Sequence, residues 1–219
     1  MKYSHKLERT YYKRVLWLAI FTVVYNIAEG IISVILGIQD ETLALFGFGA
    51  DSFIEVISGI GILQMVIRIR NNQESSRTPF EVRALRITGT SFYLLTLALF
   101  AGAVINISQG HKPETTFWGI IISGVSIAVM LFLYRTKIYY GKLLNSEPVI
   151  ADGKCTRVCV YMSVVLLVSS GIYELTGIGW VDSAGALGLA WLSFREGREA
   201  FEKARGKECC CTEENIDAN

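Results

Sequence analysis

Apolar residues fall into six runs separated by short polar or basic segments: Arg14–Gly37, Thr42–Ile67, Ala84–Ile107, Thr115–Tyr134, Asp152–Ile178 and Gly179–Phe194. A hydrocarbon core about 30 Å thick takes around 20 helical residues to cross, which these runs supply, the sixth only just. That last run is expected to continue as helix beyond the membrane through Glu199 and Phe201. Backbone N–H and C=O groups find no water in hydrocarbon, so runs of this length satisfy them as helices. The connections at Ile38–Glu41, Ser108–Glu114 and Glu174–Gly179 are short and make antiparallel hairpins. The pattern predicts an all-α, polytopic membrane protein built as a six-helix transmembrane bundle.

Charge placement orients the bundle. Lys2, Lys6, Arg9, Lys13 and Arg14 precede the first run, Arg68, Arg70, Arg77, Arg83 and Arg86 lie between the second and third, and Arg135, Lys137, Lys142, Lys154 and Arg157 surround the fourth-to-fifth connection. Arg195, Arg198, Lys203, Arg205 and Lys207 follow the sixth, and Lys112 is left for the other side. Positive loops stay in the cytoplasm, so both termini are expected there. The chain then divides into a cytoplasmic N-terminal segment over 1–13, a six-helix transmembrane domain over 14–204 and a disordered cytoplasmic tail over 205–219. No small-residue cleavage pattern follows the first run, so a cleaved signal peptide is not expected. Composition agrees: 52% of 219 residues are apolar, mean hydropathy is +0.40, and the net charge of +1 offers no basic surplus for nucleic acid.

Against this apolar background the polar residues at membrane depth are conspicuous: Asn26 and Glu29, then Asp51, Glu55 and Gln64, then Cys155 and Cys159, and Asp182. Asp51 and Glu55 are four apart and share a helix face; Cys155 and Cys159 repeat that spacing on the fifth run. An ionised acid at the bilayer centre costs about 2.5–3.5 kcal/mol on insertion scales, so a pair on one face calls for a cation, a proton or a basic partner. Two helices each offering two ligand atoms can surround one metal ion tetrahedrally. Packing is the competing reading: buried cysteine is a common small apolar residue, and acids between helices can serve as hydrogen-bonding partners. Neither accounts for both pairs together. Asn26 and Glu29 could line the same cavity as second-layer or pathway groups or bond between helices. For Asp182, an N-cap role competes with a cation exit.

These residues carry a resemblance to the cation diffusion facilitators, six-helix divalent-metal transporters with paired ligands on the second and fifth helices. Ala50-Asp51-Ser52-Phe53-Ile54-Glu55 is similar to the family's second-helix motif, and Ala151-Asp152-Gly153-Lys154-Cys155, leading to Cys159, resembles the opening of its fifth helix. By that register Cys155 and Cys159 stand where His and Asp are usual. Gly179-Trp180-Val181-Asp182 resembles the sixth helix. No counterpart of the usual cytoplasmic domain is expected after the sixth run, so the resemblance is to the short, transmembrane-only members. The histidine-rich fourth-to-fifth loop of some zinc transporters is also absent, His5 and His111 being the only histidines.

The resemblance implies a transporter and not an enzyme, exporting metal from the cytosol by proton antiport and alternating access, with Asp51, Glu55, Cys155 and Cys159 as metal ligands. Two thiols in the ligand set favour Zn2+ or Cd2+ as transported substrate over harder ions. No bound cofactor is expected. The partners implied are the lipid bilayer, the metal cation and protons; a homodimer is compatible with the resemblance, and a plasma (inner) membrane location is expected. The alternative is a membrane metal sensor or modulatory subunit that binds metal without moving it. A redox enzyme using the cysteines is disfavoured by the lack of a cofactor motif. Cys209, Cys210 and Cys211 add either a metal-docking cluster or a juxtamembrane palmitoylation site.

Overall fold

The computed structural model describes residues 2–206 except 41, 73–78, 111 and 145. Cys209, Cys210 and Cys211, with Arg77 and Lys207, lie outside the described residues. The chain forms six helices: α1 (Lys2–Gln39), α2 (Leu43–Asn72), α3 (Pro79–Gln109), α4 (Phe117–Leu143), α5 (Glu147–Thr176) and α6 (Trp180–Ala204). Each expected run lies mostly on one of these, but all six helices overrun their apolar stretch at one or both ends. Lipid fixes where apolar residues are needed; hydrogen-bonded turns continue past it into water. Length and hydropathy by themselves suit four helices for spanning among the described residues, within α1, α3, α4 and α5. The apolar stretch of α6 ends at Arg195 and Glu196, as its short run implied.

The links are tight for definite reasons. Pro148 sits in the first turn of α5, where its missing N–H would have had no helical partner. At the other end Gly177 adopts φ 64°, the left-handed conformation that only glycine takes without strain, and its N–H bonds Tyr173 O to stop the helix. An even number of antiparallel helices returns the chain to the side on which it began. That side, which carries Arg14, Arg83, Arg157 and Arg198, is called here the basic end.

The packing is inside out relative to a soluble bundle. Leu94, Leu97, Phe132 and Trp191 are exposed, whereas Ser33, Ser123, Ser126, Ser163 and Ser193 are buried. An apolar exterior over a small, polar interior is what lipid solvent selects. Helices associate most extensively as α1 with α2, α3 with α6 and α4 with α5. Backbones meet where glycine removes the side chain: a Cβ on Gly37 would lie 2.5 Å from Phe46 N, and one on Gly49 2.8 Å from Val34 N. The main apolar core joins Leu45 and Phe48 of α2, Leu99 of α3, Leu166 of α5 and Leu189 of α6. All of these lie in the half of the bundle away from the basic end. Buried polar residues occur in both halves, Ser33, Ser123 and Asp182 in this one and Asn26, Lys137, Asp152 and Thr156 toward the basic end.

Candidate functional site

A cavity of about 70 Å³ occupies that basic half, lined by Asn26, Glu55, Lys137, Asp152, Cys155 and Cys159 among others, and by Glu196 and Lys203 of α6. Helical register builds it. On α5, Asp152, Cys155, Thr156 and Cys159 follow one another at intervals of three, one and three residues, so they form a single stripe. The neighbouring Lys154 and Arg157 fall off that stripe and are exposed.

Glu55 is the point where three helices meet. Its Oε2 accepts from Asn26 Nδ2 at 2.9 Å, and its Oε1 accepts from the Cys159 thiol, with Sγ 2.5 Å away. An α2 carboxylate and an α5 thiol thus lie in direct contact across the cavity. Asn26 Oδ1 and Asp51 Oδ1 are buried and have no hydrogen-bond partner among the described residues. Asp51 is 4% exposed, one turn further from the basic end than Glu55. A buried oxygen without a donor is costly, of the order of 1–3 kcal/mol, so these atoms are poised for a ligand or a proton.

The other sequence-selected residues take more definite structural roles. Glu29 is held on both oxygens, by the Tyr25 hydroxyl at 2.8 Å and by Ser52 Oγ at 3.1 Å, one layer behind Glu55. Asp182 is 2% exposed and accepts from Leu43 N at 2.9 Å and Ala44 N at 3.3 Å, so it caps the N-terminus of α2 and not that of its own helix. Gln64 is exposed. Cys155 is not turned toward Glu55: its Sγ accepts from Lys203 Nζ at 3.2 Å. Consequently no three His, Cys, Asp or Glu side chains among the described residues converge on one ion's reach in this conformation. Glu55 and Cys159 are in contact, and Asp51 and Cys155 each lie one turn to either side.

Lys137 was expected only as an orienting charge near the fourth-to-fifth connection. In the structure it is 2% exposed, inside α4, and its Nζ lies 3.0 and 3.1 Å from the two oxygens of Asp152 and 3.1 Å from Thr156 Oγ1. Its buried ion pair fixes the cavity stripe of α5 against α4. A signal for it existed: the link between α4 and α5 is centred near residue 145, and 137 and 152 are almost equidistant from it, so an antiparallel hairpin brings them face to face.

Comparison with known proteins agrees with this architecture. The sequence profile of the cation efflux transmembrane domain matches residues 16–205. Transmembrane protein 163 of Xenopus laevis is 25% identical over 189 residues, which is 85% of this chain and 66% of that protein. The uncharacterized transporter MJ0449 of Methanocaldococcus jannaschii is 29% identical over 175 residues, 78% of this chain and 62% of its own length. Magnetosome protein MamB of Magnetospirillum gryphiswaldense is 25% identical over 175 residues, 78% of this chain and 58% of its own. The chain therefore spans a little under two thirds of the curated relatives it matches.

Proposed function

Because this chain belongs to the cation efflux family, we propose that it carries a thiophilic divalent cation, zinc or cadmium, out of the cytosol in exchange for protons. The observation that carries the reading is the direct contact between Glu55 of α2 and Cys159 of α5 inside the cavity. A dication inserted there replaces the thiol proton that Glu55 now accepts, and Asp51 and Cys155 complete the ligand set by turning toward it from the adjacent turns. Binding then releases protons, because thiolate and carboxylate must be deprotonated to ligate; protons arriving from the far side displace the metal in the reverse sense. Metal and proton thus compete for one set of atoms, which is what exchange requires. Two sulfur ligands favour zinc and cadmium over manganese, iron(II) and magnesium.

The positive-inside pattern assigns the basic end to the cytosol. The cavity lies in that half and the apolar core fills the other, an arrangement that supports a cytosol-facing state of an alternating-access cycle. The glycine contacts between α1 and α2 give a surface on which that pair can shift. Location in the plasma (inner) membrane follows the same reading.

Flux through proteoliposomes tests it. Purified protein should move zinc and cadmium into vesicles, with a trapped dye reporting a rise in luminal pH as protons leave in exchange for the entering metal. Metal movement with no proton movement would leave a uniporter. Binding without movement would favour a sensor or modulatory subunit.

A further inference from the structure

The site at Glu55 does not account for the mouth of the cavity. There α6 presents Glu196, Glu199, Ala200 and Lys203 at intervals that put all four on one helix face, and three of them line the cavity together with Cys155. The Lys203 ammonium lies 3.2 Å from Cys155 Sγ and 3.7 Å from Glu199 Oε2. A position where a thiol and a carboxylate converge on an ammonium is one built to hold positive charge. An independent observation points the same way. Thr88 of α3 is 2% exposed, lines the same cavity, and its Oγ1 is buried with no hydrogen-bond partner among the described residues. It sits level with this part of α6, since a Cβ on the adjacent Gly89 would lie 3.2 Å from Gly197 O and 2.8 Å from the Phe201 ring. Three helices thus place a sulfur, two carboxylates and a hydroxyl oxygen without a partner among the described residues around the mouth, with no three metal-ligating side chains within one ion's reach while Lys203 is in place.

We propose that Cys155, Glu196, Glu199 and Thr88 form a receiving station for a thiophilic divalent cation at the mouth of the cavity, and that Lys203 is its tethered placeholder, displaced when metal arrives. The proposal rests on the transport reading above for the identity of the ion, but not for the existence of the station. Lys203 is a positioning residue: its charge keeps the carboxylates and Cys155 together while no metal is bound, and it discriminates by valence, because a dication outcompetes a single ammonium where a monovalent ion gains little. Cys155 is common to both positions. It is four residues, about 6 Å, from Cys159 along α5, so its thiolate can follow the ion from the mouth to the Glu55 site without letting go.

The test separates the two sites. The protein is prepared with Cys209, Cys210 and Cys211 changed to serine and with Glu55→Gln and Cys159→Ser, which disables the inner site and leaves Cys155 as the one thiol. Cadmium is titrated in detergent and read by the ultraviolet cadmium–thiolate absorbance. One cadmium per chain should bind through Cys155; Lys203→Met should tighten it at least about tenfold, and Glu196→Gln with Glu199→Gln should remove it. Thr88→Val, which keeps shape and loses the oxygen, should weaken it. Absence of the band, or an affinity indifferent to Lys203→Met in protein that elutes as a single folded species, overturns the proposal. As a second readout, cadmium should protect Cys155 from maleimide alkylation in the same background with Lys203 intact; unprotected alkylation at saturating cadmium also overturns it. A failure of transport with the station intact would count against the transport reading alone.

Discussion

Removing Asp152's charge should destabilise the protein more than any single change at the metal ligands. Lys137 Nζ lies 3.0 Å from the carboxylate, with 2% of the lysine exposed. At that separation and an effective dielectric of about 20, the attraction is on the order of 5 kcal/mol. That energy is set against the desolvation of both groups, so the net worth of the pair is small; the cost of orphaning one partner is not. Asp152→Asn strands a buried ammonium on Thr156 and a neutral amide, which costs about 3–5 kcal/mol. For a chain of this length that corresponds to a fall in melting temperature of about 6–20 °C. Lys137→Met combined with Asp152→Asn removes both charges and should recover most of the loss, giving a coupling of about 2 kcal/mol or more in a double-mutant cycle with Lys137→Met and Asp152→Asn as the singles. Thermal unfolding in detergent, followed by the loss of monodisperse protein, measures all four forms. If the double variant is as unstable as the two single changes added together, the pair is not an interacting unit and its role in fixing the α5 stripe is wrong.

Other expectations follow from the same geometry. Asn26→Leu deprives Glu55 of its amide donor and should weaken cadmium binding several-fold in titrations, while Asn26→Asp, which adds a charge in place of the donor, should alter the number of protons released per metal. Cys155→His with Cys159→Asp supplies the family's more usual donors and should shift preference from cadmium toward zinc in competition flux; an unchanged ratio would place these side chains outside the selective step. Asp182→Ala uncaps α2 and should cost about 1 kcal/mol of stability, with flux per folded molecule reporting separately whether the carboxylate also touches the ion path.

How much of this was written in the sequence depends on the distance over which a pattern speaks. Periodicity along one helix is local, so the six helices and the pairing of Asp51 with Glu55 and of Cys155 with Cys159 on their faces could be read directly. That α2 and α5 should confront each other was inferred from the matching spacing of the two pairs and then from the resemblance; in the structure Glu55 and Cys159 are in contact. What periodicity does not encode is the neighbour across the interface. Cys155 is turned to Lys203 on α6, Asp182 caps α2, and Lys137 is buried against Asp152, because each depends on the rotation and depth of two helices at once. Basic residues near helix ends are read by default as topological markers, and Lys137 and Lys203 were hidden by that rule. Thr88 carries no sequence signal at all: its interest lies in having a buried oxygen without a partner.

The central claim is that an α2 carboxylate and an α5 thiolate hold the same ion. X-ray absorption at the metal edge on zinc- or cadmium-loaded protein, with Cys209, Cys210 and Cys211 changed to serine, examines that directly. The account predicts a mixed shell for zinc, with sulfur at about 2.3 Å and oxygen at about 2.0–2.2 Å, the sulfur contribution reduced by Cys159→Ser and the oxygen contribution by Glu55→Ala. A shell of oxygen and nitrogen alone, unchanged by Cys159→Ser, would contradict it.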